Sequence, residues 1–188
     1  DDAIRAKQLM GVVPEMSNAY VELSAWNNLL LMGELYGVPK KDREERAKKL
    51  LEQFGLYDRK ESLARGFSKG MKQRLILCMA LINQPSVLIL DEPTSGLDVE
   101  SSRLIKDVIR ELNRTGTTVF LTTHNMEDAG QLCERIAIIN RGVIAAIDRP
   151  EALKRASSGI QSIELSFNCI VDAEDLSNFS CVKKVKKM

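Results

Sequence analysis

Two adjacent carboxylates, Asp91 and Glu92, close a run of four apolar residues, 87–90. Such a run reads as a buried strand, so it delivers both acids to the C-terminal edge of a sheet, where open α/β sheets bind their ligands. The chemistry open to the pair is metal-assisted hydrolysis. Asp91 is suited to holding Mg²⁺, usually through water, and Glu92 to orienting and deprotonating an attacking water. A bare Asp-Glu-Pro also opens ordinary loops, so the pair must be read with its neighbours.

Three further groups stand in order around it. Phe67-Ser68-Lys69-Gly70-Met71 opens a helical pattern over residues 68–82 that stops at Asn83-Gln84-Pro85. A helix N-terminus presents unpaired N–H groups and positive dipole character, which attract phosphate. Ser68 either caps that helix or bonds a phosphate, and Gly70 lets backbone approach a ligand closely. Ser95-Gly96-Leu97-Asp98 is a turn within reach of the acids, and its carboxylate can order water or meet a partner's site. His124, the only histidine, follows a strand pattern over residues 118–122. It is either a packing residue or a group that bonds a terminal phosphate together with the catalytic carboxylate.

The elements that must position these groups alternate. Residues 10–13 read as a short buried strand, closed by Pro14, before the apolar run 26–32. Over 42–54, Ala47, Leu50, Leu51 and Phe54 recur at helical spacing among charges that form a solvated face. Residues 100–113 form an amphipathic helix, 126–133 a short one and 151–155 a terminal one, with strands at 136–139 and 143–147. Strands alternating with helices predict an α/β fold with a mainly parallel sheet and helices on both faces.

Composition bounds the classes. At 188 residues and 44% apolar, the chain is long enough for one packed domain. A net charge of +1 gives no broad attraction for nucleic acid, so none is expected as a partner. The four cysteines, Cys78, Cys133, Cys169 and Cys181, lack paired spacing and read as free thiols in a reducing compartment. No apolar run reaches the ~20 residues of a membrane span, so membrane contact is expected through a partner.

Taken together the motifs resemble the ATP-binding domain of ABC transporters. Residues 67–71 are similar to the family's signature motif, 87–92 to its Walker B strand, 95–98 to its D-loop and His124 to its switch histidine. Thr122-Thr123-His124, Met126-Glu127-Asp128-Ala129, Arg135-Ile136-Ala137-Ile138 and Gly142-Val143-Ile144 extend the resemblance, which spans Met10 to about Leu153. It implies a P-loop NTPase-type fold with an α-helical subdomain over about 20–83, incomplete at its N-terminus. On that reading 1–157 is a partial nucleotide-binding domain and 158–188 a partial appendage.

The resemblance further implies ATP and Mg²⁺ as cofactors and Glu92, His124 and Asp98 as catalytic groups. Ser68, Lys69, Gly70 and Met71 would meet ATP held by a second such domain in a head-to-tail dimer. A membrane-spanning subunit would be the other partner, placing the chain on the cytoplasmic face of the cell membrane.

Three departures qualify this. The signature usually reads Leu-Ser-Gly-Gly-Gln, whereas Phe67, Lys69 and Met71 stand here, a form similar to ATPases of drug, lipid, polysaccharide and sodium exporters. Glu15 stands where the family's Q-loop has Gln, and a carboxylate there can still ligate Mg²⁺. No Gly-x-x-x-x-Gly-Lys-Ser/Thr loop occurs, so this chain by itself is expected to be inactive. Two rival readings stay open: a soluble ABC ATPase of translation or DNA maintenance, and a non-hydrolytic regulatory module binding through 160–167 and the basic end.

Overall fold

A computed structural model describes residues 2–16 and 19–157, together with Leu176. The chain runs α1 (Asp2–Gln8), β1 (Met10–Val13), α2 (Ala25–Leu35) and α3 (Lys40–Gln53), then two 3₁₀ turns (Tyr57–Arg59 and Ala64–Gly66). It continues with α4 (Lys69–Leu81), β2 (Val87–Asp91), α5 (Val99–Arg114), β3 (Thr118–Thr122), α6 (Met126–Leu132), β4 (Ile136–Asn140), β5 (Val143–Asp148) and α7 (Pro150–Ser157). The appendage expected over 158–188 lies, Leu176 apart, outside the described residues.

The three strands β1, β2 and β3 form a parallel sheet in that order, while β4 and β5 pair as a separate antiparallel hairpin. Register sets which side chains share a face. Gly11 lies opposite Leu88, and Leu88 opposite Val119; Val13 lies opposite Leu90, and Leu90 opposite Leu121. Directly paired residues project to the same side. That side is the buried one, with Val13, Leu88 and Leu90 inaccessible, and α4 and α5 pack in the same core. Gly11 is required there: a Cβ would stand 2.4 Å from the Ala80 carbonyl of α4.

The α/β class and the parallel sheet with its helices agree with expectation. Among the described residues the second face is open, with Val12 50% and Phe120 62% exposed along the row Val12, Ile89, Phe120. Four-residue apolar strands suggest two buried faces, but only position in the fold decides whether something lies across the second.

Helix α4 is the hinge of the architecture. It buries Gly70, Gln73 and every residue from Leu75 to Leu81, and a helix buried nearly all round must be enclosed by several elements. It packs against α2 and α3 on one side and against β1 and α5 on the other. Arg46 ties α3 to its end through the Ile82 carbonyl at 3.1 Å, and Arg74 ties its first turns to α3 through the Phe54 carbonyl at 3.0 Å. Before α2, the buried Asn28 amide accepts from Tyr20 N–H at 2.8 Å and donates to the Tyr20, Leu23 and Ser24 carbonyls. One side chain thus holds the entry into the helical layer in shape.

Candidate functional site

The C-terminal ends of β2 and β3 lie side by side, Asp91 opposite Thr122. The Thr122 hydroxyl donates to Asp91 Oδ1. Glu92, the next residue, takes a left-handed backbone at φ 47° while its N–H donates to the Thr122 carbonyl at 3.0 Å. That conformation costs a residue with a Cβ about 1–3 kcal/mol and persists only where neighbours over-determine it.

Here they do. The Glu92 carboxylate accepts from His124 N–H at 2.7 Å and meets His124 Nδ1 at 2.7 Å, both on Oε1, while the Thr123 hydroxyl donates to Oε2 at 3.2 Å. A carboxylate partner requires the ring proton on Nδ1, which leaves Nε2 facing outward on a side chain that is 81% exposed. Glu92 itself is only 16% exposed, and its Oε2 retains lone-pair capacity for a water. A shielded, oriented carboxylate next to an exposed imidazole and a second carboxylate is suited to activating water beside an anionic ligand.

The second group forms at the start of α4. Ser68 Oγ accepts from Met71 N–H at 3.2 Å, so it caps the helix, and Met71 turns its side chain against the core. Gly70 lies against α5: a Cβ would stand 2.5 Å from Ser101 Oγ and 3.1 Å from Asp98 Oδ2. Lys69 reaches over the turn that follows Glu92, its Nζ standing 2.4 Å from where a Cβ on Gly96 would lie. Asp98 caps α5 by accepting from Ser101 N–H at 2.8 Å. Hydrogen bonds from the Ser101 backbone and hydroxyl, aided by the Arg74 charge, hold its carboxyl below the usual aspartate range.

The structure therefore brings Glu92, His124 and Asp91 together at one sheet edge, and Ser68, Lys69, Gly70 and Asp98 together at two helix starts. No hydrogen bond or ion pair joins the two groups among the described residues. Glu15 lies exposed just beyond β1, at the same sheet edge as Asp91, with no hydrogen bond or ion pair to the acids. No cluster of three or more His, Cys, Asp or Glu side chains suited to a metal occurs among the described residues.

A family model for ABC transporters matches residues 1–95, just over half of the chain. The chain belongs to the ABC transporter family. Among ABC relatives, the linearmycin resistance ATP-binding protein LnrL of Bacillus subtilis is 38% identical over 172 residues, covering 92% of this chain and 55% of that protein. A fluoroquinolones export ATP-binding protein of Mycobacterium tuberculosis is 44% identical over 149 residues, 79% of this chain and 48% of its own. The solved structure of an ATP-binding subunit of an ABC transporter superposes with a TM-score of 0.74 at 28% identity, covering 82% of this chain and 64% of that one. The chain spans about half the length of the curated ABC relatives it matches.

Several residues around these two groups were not legible as neighbours of the candidate site beforehand. Thr123 holds Glu92, and Asn125 caps α6 by accepting from Glu127 and Asp128 N–H. Asn followed by two acids is a helix-start signature, so that signal was present. Asp128 accepts from Thr94 at 2.7 Å and from Lys106 at 3.0 Å. Burial pushes its carboxyl up, but the bonds from Thr94 and Lys106 and the charges of Lys106 and Arg110 together outweigh burial and leave it lowered. Cys78 is a buried free thiol, pushed well up by burial, and Cys133 a half-buried one. Cys169 and Cys181 lie outside the described residues.

Proposed function

We propose that this chain is part of the ATP-hydrolysing subunit of an ABC exporter. The observation that carries the reading is the Glu92–His124 pair, with both ring and backbone of His124 on Glu92 Oε1 at 2.7 Å. Glu92 is suited to act as the general base that orients and deprotonates water, His124 keeps it in place, and the other ring nitrogen of His124 would bond the terminal phosphate of a bound nucleotide. Proton transfer of this kind contributes about 10²–10⁴-fold in rate.

Mg²⁺ fits the donors at this edge. It dehydrates reluctantly and is held by one or two carboxylates with waters and phosphates, not by a protein cage. Asp91, exposed at the sheet edge and steadied by Thr122, is such a carboxylate, and Glu15 beyond the neighbouring strand is the second candidate. When bound, the ion would neutralise phosphate charge. No phosphate loop of the Gly-x-x-x-x-Gly-Lys-Ser/Thr type occurs in this sequence, so on this reading these residues would act on ATP held elsewhere.

The start of α4 serves a second nucleotide-binding domain. Ser68 and the N–H groups of Lys69 and Gly70 form a phosphate-attracting helix end for ATP bound by a head-to-tail partner, with Met71 N–H taken up by the Ser68 cap and Asp98 beside them. Residues 1–157 act as the nucleotide-binding part and about 20–83 as its helical subdomain. Outward transport is supported by the relatives' names, which include fluoroquinolone and Nod factor export. No helix among the described residues is long and apolar enough to cross a membrane. Membership of the ABC transporter family supports a separate membrane-spanning subunit that would supply the path and hold the chain at the cytoplasmic face.

The test is ATP turnover with Mg²⁺ for this chain, and for this chain joined to the phosphate-loop region of an ABC relative. Turnover by the joined protein that is abolished by Glu92→Gln supports the reading. Turnover by this chain alone, or turnover indifferent to Glu92→Gln, overturns it.

A further inference from the structure

Asp128 is the only buried acidic side chain among the described residues, and it lies neither at the sheet edge nor in a signature motif. Its two oxygens join three elements. Oδ2 accepts from Thr94, in the turn between Glu92 and Asp98; Oδ1 accepts from Lys106 of α5; and Asp128 itself sits in the first turn of α6.

The bonds around it close a ring on Glu92. The Thr123 hydroxyl donates to Glu92 Oε2 at 3.2 Å and accepts from Asn125 N–H at 3.0 Å. Asn125 Oδ1 accepts from Asp128 N–H at 3.2 Å, and Asp128 Oδ2 accepts from Thr94. Thr94 is two residues from Glu92, whose carbonyl accepts from Ser95 N–H at 3.1 Å. His124 lies inside this ring, between Thr123 and Asn125, so its placement depends on where α6 is docked.

We propose that Asp128 is a positioning residue: by binding Thr94 and Lys106 it docks the start of α6 and so holds the His124 ring on Glu92. The argument is geometric. His124 is 81% exposed, and both its backbone N–H and its ring Nδ1 bond Glu92 Oε1, so the ring is held by the backbone segment 123–125 and by Glu92. That segment is anchored by its own hydroxyl and cap bonds, and those by Asp128. The catalytic meaning of this docking rests on the proposed role of Glu92, whereas the docking itself does not.

The single histidine makes the test direct, because its ring nitrogens give one set of signals. Long-range nitrogen–proton NMR of the 188-residue chain reports which ring nitrogen carries a proton. The parent should show the Nδ1–H form bonded to carboxylate, and Glu92→Gln should weaken it. Thr94→Val removes the tie without exposing a charge, and Asp128→Ala removes the whole anchor; both should lose the Nδ1–H signal while backbone signals of β1, β2 and α4 remain in place. The double variant Asp128→Asn with Lys106→Met keeps an acceptor for Thr94 and removes the unpaired cation, and it should recover the signal. Retention of the signal in Thr94→Val, or its loss in the double variant with the fold unchanged, overturns the proposal. Neither result bears on ATP turnover, so this inference and the proposed function fail separately.

Discussion

His124 Nδ1 and Glu92 Oε1 lie 2.7 Å apart, and the same oxygen accepts the His124 backbone N–H at 2.7 Å. One carboxylate oxygen is thereby fixed twice by one residue, and the other accepts from the Thr123 hydroxyl at 3.2 Å. This division of labour between the two oxygens underlies the first prediction.

Glu92→Gln keeps the size of the side chain and can still accept from His124 N–H, but it cannot take a proton. In a protein completed with a phosphate loop, turnover should fall by about 10²–10⁴-fold while ATP binding persists. Single-turnover hydrolysis beside equilibrium nucleotide binding separates the two effects, and an equal loss of both would remove Glu92 from the chemical step.

Ser68→Ala removes the cap that accepts from Met71 N–H. Loss of such a cap costs about 1 kcal/mol, readable as a lower denaturant midpoint of the isolated chain. If the helix start also meets phosphate, the same change in the completed protein should weaken ATP-dependent dimerisation beyond what the stability loss explains.

Gly70→Ala places a methyl 2.5 Å from Ser101 Oγ, where α4 lies against α5. Overpacking of this kind costs about 1–3 kcal/mol. Pairing it with Ser101→Ala removes the nearest atom and should recover part of the loss in thermal unfolding. Independent, additive losses would show that the two positions do not press on each other.

Asp98 contributes a pH dependence whose sign follows from its lowered value in the folded chain. At acid pH the unfolded chain binds more protons at this carboxyl than the folded one. Its contribution is therefore complete above the ordinary aspartate value of about 3.9 and is lost as pH falls below that towards the folded-state value. Asp98→Asn, which can still cap α5, should flatten the acid limb of the stability curve measured by urea unfolding across a pH series. An unchanged slope would mean that the Ser101 bonds do not persist in solution.

Phe120 and Val12 stand on the open face of the sheet. An exposed apolar row promotes association. Phe120→Thr keeps a strand-forming residue and should reduce light scattering by the isolated chain, with a stability change within about 0.5 kcal/mol. A large loss of stability would show that something covers the face.

Much of this protein was legible in its residues. The strand at Thr118–Thr122, the helix opened by Ser68 and the strand ending at Asp91 coincide with the elements observed, because apolar period, cap residues and Pro stops act within a few residues. A bond between His124 and the carboxylate of Glu92 was one of two readings that its place after a strand allowed, and the two groups lie 2.7 Å apart. What tertiary structure alone decided is of another kind. Whether the second face of the sheet is covered, that β4 and β5 form a hairpin apart from the parallel sheet, and that Thr94 meets Asp128 across 34 positions are facts of spatial neighbourhood. A run of apolar residues states what must be hidden, and an acid states that it needs a partner. Neither states which distant segment answers, since that depends on how all the elements pack together.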